Sequence, residues 1–284
     1  MIRVRPMVQK TTKADSAAIF DANRAHGRIA LSVIERDRRT HRQQVDEAGS
    51  YRIRFPNTDG LEAEAVILNT AGGVAGGDDF SISIAAESGA RLSVTTAAAE
   101  KIYRVMTTPA RMSVTLSAAP GAVLRWLPQE TILFDKARLH RTIDVEFSER
   151  ASLLMAEAVI FGRTAMNESV HSGELVDRWR IRRNGRLAFA ETLRLTGRID
   201  TLLARPAAGN GAVALATVVV ASGDDSLVEK VRAMLDGCGS EAAISAWNGI
   251  VIVRLCAGDA ALLRRDLVSV LNAVSGGLPR LWTS

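Results

Sequence analysis

Between residues 29 and 116 the chain is written in short segments of period two. Ile29-Leu31-Val33, Tyr51-Ile53-Phe55, Val66-Leu68, Phe80-Ile82-Ile84, Leu92-Val94 and Met112-Val114-Leu116 set apolar side chains at alternate positions. That spacing puts one face of a strand into a core and suits no helix. Turn signals separate the segments at Pro56-Asn57, Asp59-Gly60, Ser88-Gly89 and Pro120-Gly121. Parallel βαβ units are not expected in this half. Further on, Trp179 and Ile181 lead to Asn184-Gly185 and then to Leu187 and Phe189, which predicts a hairpin, because Asn-Gly suits the two positive-φ positions of a type I′ turn.

The last third changes period. Ala212 to Ala221 reads as a buried strand, Ser226 to Leu235 as a helix, Ile250 to Leu255 as a strand and Ala260 to Ala273 as a second helix. Asp224, Asp225 and Ser226 are candidate caps for the first helix and Asp259 for the second. Leu262, Leu263, Leu267, Val270 and Leu271 form an apolar stripe, with Arg264, Arg265 and Asp266 expected outside it. The fold expected is mainly β: stacked or coiled sheets forming a sandwich-like or β-helical body, covered by two α-helices in the C-terminal third. Residues 1–24 show no sustained period and read as a loose arm bearing Lys10, Lys13 and Arg24; residues 25–284 read as one domain.

With 47% hydrophobic and 24% charged residues, the chain can bury a sizeable core and is not of disordered composition. The net charge of +5 fits nucleic acid, an anionic surface or an acidic protein partner alike. Its arginines, including Arg178, Arg180, Arg182, Arg183 and Arg186, have few aromatics interleaved, unlike a single-strand stacking platform. Cys238 and Cys256 lack zinc-site spacing and suit a reducing cytoplasm. The longest apolar run, Ala212 to Ala221, is too short to span a bilayer.

Catalytic signatures are not found. His26, His41, His140 and His171 stand singly, and no serine lies in Gly-x-Ser-x-Gly. Glu130 and Asp135 as an acid/base pair would need a shared pocket. The run Leu68-Asn69-Thr70-Ala71-Gly72-Gly73-Val74-Ala75-Gly76-Gly77-Asp78-Asp79-Phe80 has neither the P-loop ending nor the dinucleotide fingerprint. Its glycines call for positive φ or close backbone approach, and a strand-to-strand turn satisfies both.

Beyond that loop come Thr95-Thr96-Ala97-Ala98-Ala99-Glu100-Lys101-Ile102-Tyr103-Arg104, Trp126-Leu127-Pro128-Gln129-Glu130-Thr131-Ile132-Leu133-Phe134-Asp135, Phe161-Gly162-Arg163-Thr164-Ala165-Met166-Asn167-Glu168 and Gly277-Leu278-Pro279-Arg280-Leu281-Trp282. In this order and spacing the set resembles the urease accessory protein D family (UreD, also called UreH), from about His26 to Ser284. The chain departs from that pattern at Asn69-Thr70-Ala71, where members often carry His-Pro-Pro, and at Asn167, where glycine is more typical.

The resemblance implies a non-catalytic scaffold that binds urease apoprotein and recruits a helical accessory protein (UreF) and a nickel-carrying GTPase (UreG). A homodimer within that complex is compatible with it. It implies no tightly bound cofactor, nickel in transit, and no nucleic-acid or membrane partner. By motif position the candidate nickel-passage residues are Asp78, Glu130, Asp135 and Glu168, with Gly72, Gly73, Gly76, Gly77, Lys101 and Arg163 as further motif residues. Oxygen ligands without imidazole or thiolate make weak, exchangeable sites for a first-row metal, which suits passage. The competing structural reading has Asp78 and Asp79 capping a turn, with Glu130 paired to Arg125 and Glu168 to Arg163. The alternative function is a basic polyanion- or nucleic-acid-binding β domain.

Overall fold

The computed structural model describes residues 24–58, 60–105, 107–163, 168–221 and 225–283. The chain lays down β1 (His26–Arg36), β2 (Arg39–Gly49), β3 (Tyr51–Arg54), β4 (Ala63–Asn69), β5 (Asp79–Ala86), β6 (Arg91–Thr96), β7 (Glu100–Ile102), β8 (Ala110–Ala118) and β9 (Val123–Trp126). β10 (Thr131–Leu133), β11 (Arg138–Phe147), β12 (Ser152–Phe161), β13 (Gly173–Arg183) and β14 (Arg186–Gly197) follow. After them come α1 (Ile199–Leu203), β15 (Ala214–Ala221), α2 (Asp225–Leu235), β16 (Glu241–Trp247), β17 (Ile250–Ala257), α3 (Ala260–Ser275) and α4 (Arg280–Thr283).

From β4 to β13 the chain coils between two sheets. Strands β5, β8, β11 and β13 pair in parallel in one sheet, whose full order is β14-β13-β11-β8-β5-β1-β2. β6, β9 and β12 pair in parallel with β4 in the other, which runs β16-β17-β15-β12-β9-β6-β4-β3, with β10 and β7 attached beside β12. The crossings from β5 to β6, β8 to β9 and β11 to β12 are four-residue turns instead of helices, which is how a parallel sheet forms there without βαβ units. Gly89 and Gly121, at φ 76° and 75°, make two of these crossings, as their turn signals predict.

The expected alternation holds where one face is buried. Ile29, Leu31 and Val33 of β1, and Phe80, Ile82 and Ile84 of β5, point between the sheets. In β4 and β12 it fails, because helices cover the outer face of the second sheet: Ala65, Val66 and Ile67 are buried in succession, as are Leu153 to Val159. A second core, with Leu154, Ala156 and Ala158 on one side and Val231, Leu263, Leu267, Val270 and Leu271 on the other, fills that outer layer.

The Asn184-Gly185 hairpin is present, with φ of 49° and 76° and Arg183 opposite Arg186. Asp259 caps α3, accepting from the Leu262 amide at 2.8 Å, and Gly276 closes it at φ 69°. Asp266 does not lie outside the stripe. It is buried, and it accepts from the Ser240 amide and hydroxyl at 2.8 and 2.7 Å, which anchors the turn entering β16. The expected N-terminal arm with Lys10 and Lys13, the turn residue Asp59 and the cap Asp224 lie outside the described residues, as does the side chain of Asp225. Among the described residues no helix is long and apolar enough to cross a membrane.

Candidate functional site

Three of the motif segments meet around one cavity of about 260 Å³ between the two sheets. Gly72 and Gly73 come from the glycine loop, Thr96 to Lys101 from the second segment, and Trp126, Pro128, Gln129 and Thr131 from the third. The loop is not a hairpin. It carries the chain from β4 in one sheet to β5 in the other, and pauses to pair Val74 with Ile102.

Its glycines are needed for two separate reasons. Gly72, Gly73 and Gly77 have φ of 77°, 144° and 83°. At Gly76 a β-carbon would fall 1.8 Å from the Val105 side chain and 2.6 Å from the Thr108 carbonyl. At Gly73 it would meet the Tyr103 ring at 2.5 Å and the Lys101 carbonyl at 2.9 Å, the same carbonyl that accepts from the Val74 amide at 2.7 Å. The Tyr103 hydroxyl donates to the Gly72 carbonyl at 2.8 Å. Loop and β7 thus form one rim of the cavity.

Glu100 sits at this rim. Asn69 Nδ2 donates to its two carboxylate oxygens at 3.1 and 3.2 Å and to the Gly73 carbonyl at 3.2 Å. Burial raises the Glu100 pKa to about 7, against the opposing pull of Asn69 and the Lys101 amide. Lys101 also lines the cavity but is exposed. Tyr51, almost wholly buried on the cavity wall, has its phenol pKa raised by burial and then by Glu100.

Deeper in the wall stands a buried charged trio. Arg141 from β11 donates through Nε to Asp177 Oδ1 at 3.0 Å and through Nη2 to Asp177 Oδ2 at 2.6 Å, and through Nη1 it also contacts Glu157 Oε2. Glu157 accepts from Trp126 Nε1 at 2.8 Å. All three charged side chains are at most 6% exposed. Burial raises the pKa of Glu157, while Arg141 pulls it down. Burial also opposes the Arg141 charge, but the two carboxylates more than offset it. Arg141 and Glu157 line a second cavity of about 40 Å³ as well, bounded further by Asp177, Glu191 and Thr217.

The other expected site residues do not line the cavity. Asp78 is buried and caps the loop, accepting from the Ala25 and Ala75 amides at 2.9 and 2.7 Å, while Asp79 is exposed. Asp135 accepts from the amides of His171 and Ser172 at 2.9 and 3.0 Å. Arg163 pairs with Glu168 at 2.6 Å and lies over the Phe134 ring at 4.2 Å; Thr164 to Asn167 lie outside the described residues. Glu130 is buried and pairs with Arg264 of α3 at 2.5 Å, not with Arg125, which reaches Glu62 at 3.0 Å and the Ser275 carbonyl instead. Arg264 also stacks over Trp282, whose Nε1 donates to the Leu127 carbonyl, so the C-terminal motif locks onto the Trp126–Asp135 segment.

Among the described residues no three His, Cys, Asp or Glu side chains are grouped as metal ligands. Glu100, Arg141, Glu157 and Asp177 were not singled out from sequence. The signal for Arg141 and Asp177 is a lone charge in the inward phase of an alternating strand, as in Leu139-x-Arg141-x-Ile143-x-Val145.

A family model described as UreD urease accessory protein matches residues 25–283. A urease accessory protein UreD of Rhodopseudomonas palustris (strain BisB18) is 53% identical over 270 residues, covering 95% of this chain and 98% of that relative. One from Bradyrhizobium sp. (strain BTAi1 / ATCC BAA-1182), named urease accessory protein UreD 3, is 51% identical over 268 residues, covering 94% and 96%.

Proposed function

Because this chain belongs to the UreD urease accessory protein family, and so has a role in urease maturation, we propose that it is a non-catalytic scaffold whose interior conducts nickel toward the urease active site. On this reading it docks on urease apoprotein in the cytoplasm, together with the helical accessory protein and the nickel-carrying GTPase. The observation that supports passage is the cavity where three motif segments converge. Asn69, Glu100, Gln129, Thr131 and Glu157 bring side-chain oxygens to a wall that also holds the cations Lys101 and Arg141. Carboxylate, amide and hydroxyl oxygens hold a first-row divalent cation weakly enough to exchange it.

Asp78, Glu130, Asp135 and Glu168 are each committed to backbone amides or to an arginine. Their proposed part is to hold the walls and loops of the corridor. A scaffold for several partners also needs broad contact area, and Trp247, Leu187 and Leu61 leave large apolar side chains exposed for it.

The test is nickel per urease active site, by metal analysis of urease purified from cells carrying the wild-type chain, no chain, Glu100→Gln or Glu157→Gln. Without the chain, urease protein should persist with its nickel lost. Both variants should lower nickel while the complex still assembles. Full loading in both would remove the corridor and leave the scaffold.

A further inference from the structure

The trio of Arg141, Glu157 and Asp177 sets one guanidinium against two carboxylates in a place closed to water. Two carboxylates left there without a cation would bear a large desolvation cost, which a cation between them or a proton on one of them relieves. In this structure that position belongs to Arg141, with two contacts to Asp177 and one to Glu157. Arg141 and Glu157 are also the two residues common to the walls of the larger and the smaller cavity. A cation moving from one to the other meets this pair.

We propose that Arg141 is a resident competitor for divalent cations, whose guanidinium between Glu157 and Asp177 keeps the interior a conduit instead of a store. The proposal rests on the corridor reading and adds what sets the dwell time of the cargo. A Ni²⁺ ion approaching from the larger cavity finds Glu157 Oε2 already engaged. It can take that oxygen only as the guanidinium falls back on Asp177, where two contacts hold it. When the ion leaves, the guanidinium recloses on Glu157. Arg suits the role because its planar fork spans two carboxylates and stays charged throughout. Trp126 and Thr131 steady the arrangement, the first on Glu157 and the second near Arg141 Nη1 at 3.4 Å.

The experiment loads the full chain with nickel chloride, passes it over a desalting column and measures metal per chain. Wild type should retain little. Arg141→Met removes the competitor but keeps the length of the side chain, and should raise the nickel retained per chain about ten-fold, a gain of about 1.4 kcal/mol in binding. Adding Glu157→Gln to that variant should abolish the gain. A thermal melt shows whether Arg141→Met is folded; if it is not, Arg141→Lys decides, since it keeps the charge but loses the fork and should give a smaller rise. Retention no higher than wild type in the folded variant overturns the proposal, even where Glu157→Gln still lowers urease nickel. Unchanged urease nickel in Glu157→Gln would count against the corridor itself. A purely structural role for Arg141 would lower stability without raising metal retention.

Discussion

Arg141 and Asp177 stand directly opposite one another on the parallel strands β11 and β13, and their side chains close a two-point contact at 3.0 and 2.6 Å. Register therefore supplies the geometry that a buried guanidinium and carboxylate require. Asp177→Ala leaves Arg141 with Glu157 alone, in a site closed to water. Breaking a buried pair from one side costs about 3–5 kcal/mol. Urea unfolding should show a loss of that size, and a loss under about 1 kcal/mol would mean that the trio is not held as an ionised group.

The pH response of Glu100 has a definite sign. Its folded pKa, about 7, lies above the unfolded value, so between about pH 4.5 and 7 the folded chain holds a proton that the unfolded chain has released. Stability contributed by this group is complete below that window and falls as pH rises through it, by at most about 3 kcal/mol. Glu100→Gln should flatten this part of the profile and be the more stable chain at pH 8. The same proton competes with a cation, so urease nickel loading should fall between pH 7.5 and 6 in wild type. If the unfolding free energies of wild type and variant keep a constant difference from pH 5 to 8, Glu100 is not the titrating group.

The glycine loop separates strain from crowding. Gly72→Ala meets no neighbour and imposes only a positive φ, a cost of about 1 kcal/mol. Gly73→Ala adds contact with the Tyr103 ring and the Lys101 carbonyl, so it should cost about 1–3 kcal/mol and loosen the bridge between Val74 and Ile102. Thermal melts of the two variants would rank them. Equal loss in both would place the whole effect in the backbone angle.

Much of this architecture is legible in the sequence because the code for a half-buried strand is local. Phe80-Ile82-Ile84 and the Asn184-Gly185 turn need no partner to be recognised. β2 is missed because it is an exposed edge strand with hardly an apolar side chain, and β11 because Arg141 interrupts its inward phase. The closure of the coil is not legible, since which strands pair depends on contacts far apart in the chain. The same holds for the site. The ordered segments name the family, yet Glu130 looks available until α3 brings Arg264 onto it, and Glu157 looks like one polar residue in an apolar run until β11 sets Arg141 beside it.

Trp247 is 72% exposed at the tip of the β16–β17 hairpin, and Leu187 is 55% exposed near the tip of the β13–β14 hairpin. The two tips are tied, since Arg183 Nη2 donates to the Gly249 carbonyl at 3.2 Å. Neighbouring exposed apolar side chains favour association, and tryptophan is among the residues enriched at interface hot spots. The chain expressed alone should accordingly be poorly soluble. Trp247→Ser takes nothing from the core, so its unfolding free energy should stay within about 0.5 kcal/mol of wild type. Its soluble yield alone should rise, while its capture by urease apoprotein and the accessory proteins should weaken if this end meets one of them. A wild-type chain that stays monodisperse at high concentration would show that the exposed tips drive no association. A destabilised Trp247→Ser chain would show that the indole packs against the body after all.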